Sequence, residues 1–482
     1  MKAKLVKSLM ITGGSSLLCQ AITWLSTFVV ARILNPDDYG LVGMAGVYIG
    51  VTEYINELGV GSAIIQRQNL NEDDVRGIYS IAILVGAFMT GVSVLIAPLI
   101  SSFFKEPRLI AILQVLSITF FISSAKSVQR NLMVREMAFE SLAKVDVMCG
   151  IFTSIIALIC AIKGYGAWTL VIQYLSMNIL GFLGSFYYER KLPGRISDWP
   201  KLREMLTFGL GIMFFNMFRY INRNIDYLII GKLLGKSLLG NYSLAQTLAN
   251  KPFEKMLPVF NQVFIPFFSK IQSDKLQVKK SLIRILSAEL IVFSPIFVLL
   301  AITAGDIIVT LLGSKWVGAV LPMQLFSMLG FCKYIENRIS VVLTSQGCAK
   351  SQVNYAASLS LVMAFSVTLL AYLYGLKGVI IAWAVCYPIV VSIYLDSFLK
   401  FVNIRFLDFL IAFKMPIITS TIMGIFVCSI EMINIDSSLI KLIAKFSTGC
   451  IVYIIANLLF NRDAVNDIFE TIKNRKQEVV AS

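Results

Sequence analysis

The sequence predicts an all-α polytopic membrane protein of about fourteen transmembrane helices, built as two six-helix lobes with two extra helices at the C-terminal end. Three observations carry that reading. Of 482 residues, 57% are apolar and 15% charged, against about 45–50% and about 25% in soluble domains. Apolar runs long enough to cross a bilayer, about 20 residues each, recur along the whole chain. The basic residues between those runs alternate from loop to loop.

Taken in order, the spans fall near 9–31, 41–65, 78–103, 109–129, 145–162, 167–187, 205–230, 239–267, 285–312, 319–343, 353–373, 376–397, 407–430 and 438–460. The first follows Lys2, Lys4 and Lys7, but its apolar run is too long for a signal peptide and no small-residue cleavage site follows it. It therefore counts as a helix. Loops on one side, together with both termini, hold 25 of the 43 Lys and Arg residues. The opposite loops hold only Arg32, Lys105, Arg108, Lys163, Lys232, Lys236, Lys315 and Lys377. The expected location is the cell (inner or plasma) membrane, and the positive-inside rule then places both termini in the cytoplasm. Dropping one span would reverse the alternation downstream of it.

The longest inner connections are 189–203 and 269–284, both polar and basic, and the outer loops are too short to hold a domain. The expected organisation is an N-terminal six-helix lobe over 1–188, a cytoplasmic linker over 189–204, a C-terminal six-helix lobe over 205–398, helices 13 and 14 over 399–460 and a cytoplasmic tail over 461–482.

Several function classes fall away. There is no histidine, so imidazole-based triads, proton shuttles and the usual zinc ligands are absent. The eight cysteines are scattered in apolar runs without a CxxC pair, and they read as small hydrophobes. No metal set and no cofactor is expected, and the protein is not expected to be an enzyme. The net charge of +15 belongs to the inner loops of a membrane protein, not to a nucleic-acid surface. Asp37-Asp38 and Asp73-Asp74 are adjacent pairs in loops, read as turns or caps.

The two halves echo one another. Leu34 to Gly40 matches Leu234 to Gly240 at an offset of 200, Leu113 to Ser117 matches Met323 to Ser327 at 210, and Gly164 to Ala167 matches Gly375 to Gly378. Spans 1–6 would thus repeat as 7–12 in one orientation, which is a transporter architecture with the substrate path between the bundles.

Ionisable residues within spans mark that path, because charge at membrane depth is costly away from a wet cavity. Arg219, Arg223 and Asp226 share one face of span 7, with Asn222 beside them; the alternative is that Arg223 and Asp226 only neutralise each other. Lys251, Glu254 and Lys255 repeat the pattern in span 8, either lining the cavity or fixing helix packing. Glu53 and Glu57 share a face of span 2 and, with Asp226 and Glu254, are the coupling-ion candidates, a proton or sodium gradient being the driving force at issue. Pro252, Pro258 and Pro266 in span 8 are hinge candidates. Lys333, Glu336 and Arg338 in span 10 read as a near-neutral structural group, and Lys126 and Arg130 as contacts to lipid headgroups.

Ala31-Arg32-Ile33-Leu34 with Asp38-Tyr39-Gly40, Leu58 to Arg67, Gly240 to Ala245 and Pro266 to Gln272 also carry a resemblance. The chain resembles the polysaccharide-transporter branch of the MOP exporter superfamily, the Wzx-type lipid-linked oligosaccharide flippases, and in particular the colanic-acid and teichuronic-acid group. The resemblance implies a V-shaped, MATE-like pair of lobes that moves an undecaprenyl-diphosphate-linked oligosaccharide to the outer leaflet by alternating access. It also implies membrane lipids and polysaccharide assembly machinery as partners. The alternatives are a MATE-like small-molecule or drug antiporter and a membrane polysaccharide polymerase; the latter lacks both a large loop and a DxD motif here.

Overall fold

A computed structural model describes residues 20, 22–57, 64, 71–195, 213, 217, 220, 221, 224–433 and 435–461, and no β-strand occurs among them. Fourteen helices are present among the described residues. They are α1 (Ile22–Ile33), α2 (Pro36–Glu57), α3 (Glu72–Phe104), α4 (Leu109–Arg135), α5 (Phe139–Ile162), α6 (Ala167–Tyr188), α7 (224–233), α8 (Lys236–Lys270) and α9 (Lys275–Asp306, continued by the π-turn Ile307–Leu312). Then come α10 (Val320–Ser345), α11 (349–374), α12 (376–402, containing the π-turn Ala382–Cys386), α13 (Phe406–Ser429) and α14 (Ser438–Phe460). Gly375 separates α11 from α12 with φ 59° and ψ −138°. Nine helical runs among the described residues are long and apolar enough to cross a membrane, and one of them holds both α11 and α12.

Helix starts follow their local chemistry. Pro36 opens α2 with no amide hydrogen to lose. Asp37 and Asp38 then meet the positive end of the helix, and the Asn35 amide donates to Asp38 Oδ2 at 3.0 Å. This start lies five residues before the apolar span because hydropathy reports the hydrocarbon depth and capping extends beyond it. Asn71 and Asp74 form a capping box on α3.

The repeat is written into the turns. Positive φ recurs at Lys105 and Gly313, Met137 and Gly347, and Gly166 and Gly375, which stand 208, 210 and 209 positions apart, so Gly375 answers to Gly166 and not to Gly164 as the sequence echo has it. The α4–α5 and α10–α11 corners share one hydrogen-bond pattern. The Ala138 amide donates to Met133 O at 2.9 Å, and the Cys348 amide donates to Leu343 O at 2.9 Å.

Contacts divide the chain between Gly240 and Asn241 into two compact units. In the first, Val75, Ile78, Tyr79 and Ala82 of α3 pack on Ala125, Val128 and Leu132 of α4. The start of α8 belongs with this unit by close approach: a Cβ on Gly40 would strike the Lys236 backbone, and one on Gly240 would strike Pro36. These are the two glycines of the 200-residue echo. Lys236 adds an ion pair to Glu106 at 2.8 Å.

In the second unit, Phe253, Phe293, Phe297 and Tyr334 form an aromatic core, with Phe253–Phe293 centroids 5.6 Å apart and Phe293–Tyr334 also 5.6 Å apart. Helices α13 and α14 are tied to α9 by polar bonds. Ser420 Oγ donates to Ser294 Oγ at 2.8 Å and the Tyr453 hydroxyl to Ile291 O at 2.7 Å. Lys445, 1% exposed, pairs with Asp306 at 2.5 Å and with Glu431. The described cysteines are free thiols.

Candidate functional site

Each unit builds a polar face on its even-numbered helices. In the first unit, α2, α4 and α6 supply Glu53, Lys126, Tyr174 and Asn178. The Tyr174 hydroxyl donates to Glu53, and Lys126 Nζ donates to Asn178 Oδ1 at 2.5 Å. Glu53 and Lys126 also attract one another electrostatically. Asn178 is fixed in turn, its amide donating to Tyr174 O at 3.1 Å. Lys126 lies nine residues before the end of α4, roughly 13 Å into the helix, and Glu53 and Lys126 are both half-buried. The result is a partly hydrated cation held at depth beside one carboxylate. Nearer the helix end, Arg130 makes a two-pronged bond to Asp146 of α5 at 2.6 and 2.7 Å, the geometry in which a guanidinium binds a carboxylate most strongly.

In the second unit, α8, α10 and α12 supply Asn250, Lys333, Glu336, Trp383 and Tyr387. Tyr387 donates to Glu336 Oε2 at 2.6 Å. Lys333 Nζ donates to Asn250 Oδ1 at 2.9 Å and lies over the rings of Phe326 and Trp383, 5.2 and 5.8 Å from their centroids. The repeat relates these faces. An offset of 210 carries Lys126 onto Glu336, and the 209 of the helix-start glycines carries Tyr174 onto Trp383 and Asn178 onto Tyr387. The same helix positions therefore hold a cation on an amide in one unit and a carboxylate on a phenol in the other.

Behind the second face lies a buried ion pair. Arg338 and Glu289, each 3% exposed at the side chain, stand 3.4 Å apart. Tyr334 donates to Glu289 Oε2 at 2.8 Å, and Arg338 donates to Asn261 Oδ1 at 2.5 Å. Such a pair fixes α8, α9 and α10 together and is sealed from substrate. Lys333, Glu336 and Arg338, expected as one group, each take a partner on another helix.

Of the residues expected to line the path, Arg219, Asn222 and Arg223 lie outside the described residues, as do the side chains of Glu57 and Lys255. Asp226 is buried, and its carboxylate accepts from the Tyr227 amide at 3.0 Å. Lys251 is half-buried and Glu254 exposed, and α8 passes through Pro252, Pro258 and Pro266 as one continuous helix. Lys126 faces Asn178 and Glu53 and does not reach out to headgroups, because a carboxylate and an amide on neighbouring helices offer it partners at depth. Tyr174, Asn178, Glu289 and Trp383 escaped the sequence reading. The signal for Glu289 was its isolation as an acid within an apolar run; for the other three it was the repeat, which pairs Tyr174 with Trp383 and Asn178 with Tyr387.

At the end of α6, outside the membrane, the Glu189 carboxyl is pushed up to about 6 by burial and by the neighbouring Glu136, with which it shares a hydrogen bond. The segment that follows docks on α3. Lys191 pairs with Glu72, the Gly194 amide donates to Arg76 O at 3.2 Å, and Ser80 Oγ donates to Gly194 O at 2.6 Å.

A family model described as "Polysaccharide biosynthesis protein" matches residues 29–321, more than half of the sequence. The chain belongs to that family. Among similar proteins, the lipopolysaccharide biosynthesis protein WzxC of Escherichia coli is 25% identical over 66% of this chain and 65% of its own length. The succinoglycan biosynthesis transport protein ExoT of Rhizobium meliloti is 22% identical over 93% of this chain and 91% of its own. Among solved structures, the lipid II flippase MurJ in an inward closed conformation superposes with a TM-score of 0.73 at 16% identity, covering 95% of this chain and all of that one. The resemblance carried by the sequence motifs is thereby borne out, and this member of the family has a MurJ-like fold.

Proposed function

We propose that this protein is a flippase that carries an undecaprenyl-diphosphate-linked oligosaccharide across the cytoplasmic membrane for polysaccharide biosynthesis, by alternating access. The observation that carries the reading is the half-buried Lys126, held by Asn178 beside Glu53, in a family of polysaccharide biosynthesis proteins. A lipid-linked diphosphate must leave water to cross, and a fixed cation at depth offsets part of that desolvation. Arg219 and Arg223 add two guanidiniums whose planar donors suit phosphate oxygens, with Lys251 and Lys255 next along the chain. Glu53, poised between Tyr174 and Lys126, is the first candidate to couple a proton or sodium ion to transport, ahead of Glu57, Asp226 and Glu254. Pro252, Pro258 and Pro266 weaken the backbone of α8 where it must bend. Both termini face the cytoplasm on the charge alternation of the loops.

The test is glycan export in cells with membrane abundance measured in parallel. Lys126→Ala lowers export more than tenfold at normal abundance, and Lys126→Arg restores part of it. Full export by the Lys126→Ala, Arg219→Ala, Arg223→Ala triple variant at normal abundance would refute the reading.

A further inference from the structure

The second unit's face does not suit an anion. Its cation, Lys333, already lies over two rings and bonds Asn250, and Glu336 stands one helical turn away. What the face offers is aromatic surface and hydrogen-bond donors. Trp383 packs edgewise on Phe326 with centroids 5.7 Å apart and on Tyr387 at 5.2 Å. Its indole Nε1 is buried and has no hydrogen-bond partner among the described residues, and the Tyr355 hydroxyl is in the same condition. Tyr355 stacks on Tyr394 at 3.7 Å and feels the Glu336 charge, as Tyr387 does.

Trp383 also stands in a π-turn, Ala382–Cys386. One extra residue in a helix is poorer hydrogen bonding, and such turns recur where a helix serves a ligand. Tyr174, at the corresponding position of the first unit, lies in regular α-helix. Two buried donors without acceptors in an aromatic setting call for a ligand that brings acceptors and apolar faces together. An acyl chain brings no acceptor, and a diphosphate would meet Glu336. A saccharide has both, its ring C–H faces lying on aromatic rings and its hydroxyls accepting and donating at the edge.

We propose that the π-turn of α12 carries a glycan-binding subsite, in which Trp383 and Tyr355 donate to sugar hydroxyls while Tyr387, Lys333, Glu336 and Asn250 frame the ring. The proposal rests on the flippase reading and adds to it a division of labour: the first unit takes the diphosphate and the second reads the sugar.

The test uses the purified full chain in nanodiscs and two probes. One is undecaprenyl diphosphate; the other is the undecaprenyl-diphosphate-linked oligosaccharide pool extracted from the producing strain. The wild type prefers the glycan-bearing lipid by about tenfold, the worth of one or two hydrogen bonds. Trp383→Phe keeps an aromatic ring but loses the indole N–H, and Tyr355→Phe loses only the hydroxyl. Each lowers that preference several-fold and leaves binding of the bare lipid unchanged. Lys126→Ala weakens both probes alike. Equal weakening of both probes by Trp383→Phe, or a preference that survives both substitutions, overturns the subsite. A wild type that binds both probes equally also overturns it while leaving the flippase reading standing. A wild type that binds neither removes both.

Discussion

The two polar faces are built from the same helix positions and end with opposite chemistry. On α4 the repeat holds Lys126, bonded to Asn178; on α10 it holds Glu336, bonded to Tyr387. Exchanges at three such positions, Lys126 for Glu336, Tyr174 for Trp383 and Asn178 for Tyr387, separate a cationic face from an acidic and aromatic one on the same helices. The difference teaches that in this fold the backbone repeat and the chemical repeat are separable. Packing holds the first, and a few half-buried side chains decide the second.

The contrast is sharpest behind the faces. In the second unit the Arg338–Glu289 pair is sealed; in the first, the buried Gln129 donates to the Tyr79 hydroxyl at 3.2 Å, and both groups are neutral. Removing one partner of a buried ion pair strands the other charge. Arg338→Leu should therefore cost about 3–5 kcal/mol, and Gln129→Leu about 1 kcal/mol. Thermal unfolding in detergent measures both, and equal losses would show that the two units are held alike. Glu289→Gln combined with Arg338→Leu should recover much of the loss.

A smaller effect tests the reciprocal glycines. Gly40→Ala and Gly240→Ala each drive a methyl into the other helix's backbone, at about 1–3 kcal/mol. Gly46→Ala, on the same α2 helix with nothing within 4 Å of its Cβ, should be nearly neutral. Matching losses at residues 40 and 240 are expected because the contact is mutual. If only one of them matters, the symmetry is one of sequence alone.

Next in size is the Glu136 corner, where the second half carries Gln346 at the same offset of 210. Glu189 has a pKa raised from 4.5 to about 6, so it binds its proton more tightly in the folded protein. The corner is then most stable at pH values below 4.5 and loses stability as pH rises through about 6. Glu136→Gln, which makes this corner resemble its counterpart, should increase hydrogen-exchange protection of residues 189–195 at pH 7.5 and change little at pH 4.5. Unchanged protection at pH 7.5 would remove the carboxylate pair as its cause.

The smallest effect lies one residue on. Met137 holds φ 55° where the second half uses Gly347 at φ 71°. A side chain in the left-handed region costs about 1 kcal/mol, part of which Gly returns to the unfolded chain as entropy. Met137→Gly should gain about 0.5 kcal/mol and Gly347→Met should lose about 1 kcal/mol, read as shifts of the unfolding midpoint.

Much of this architecture was legible beforehand. Apolar length marked the nine helical runs that are long enough to cross a membrane among the described residues, and the echoes around Gly40 and Gly240 point to residues that do meet. Periodicity stops short of naming partners on other helices. Nothing local to Lys126 shows that Asn178 waits on α6, and Arg338 looks like a neighbour of Glu336 until Glu289 of α9 claims it. Charge patterns identify residues that need a partner, and only tertiary packing chooses which. Trp383 was hidden for a related reason. A π-turn leaves no trace in composition, so nothing local to Trp383 marks it out.

Lys445 bears on how the protein is made. A lysine this deep cannot rest in lipid without a counter-charge, and Glu431 stands just beyond α13, on the same hairpin. The last two helices therefore carry their own neutralising pair and can leave the insertion machinery as a self-contained hairpin. Asp306, at the end of α9, then offers a second carboxylate that recognises the hairpin once it has arrived. Biogenesis would thus finish with an electrostatic docking step, in which Asp306 completes the neutralisation that Glu431 began.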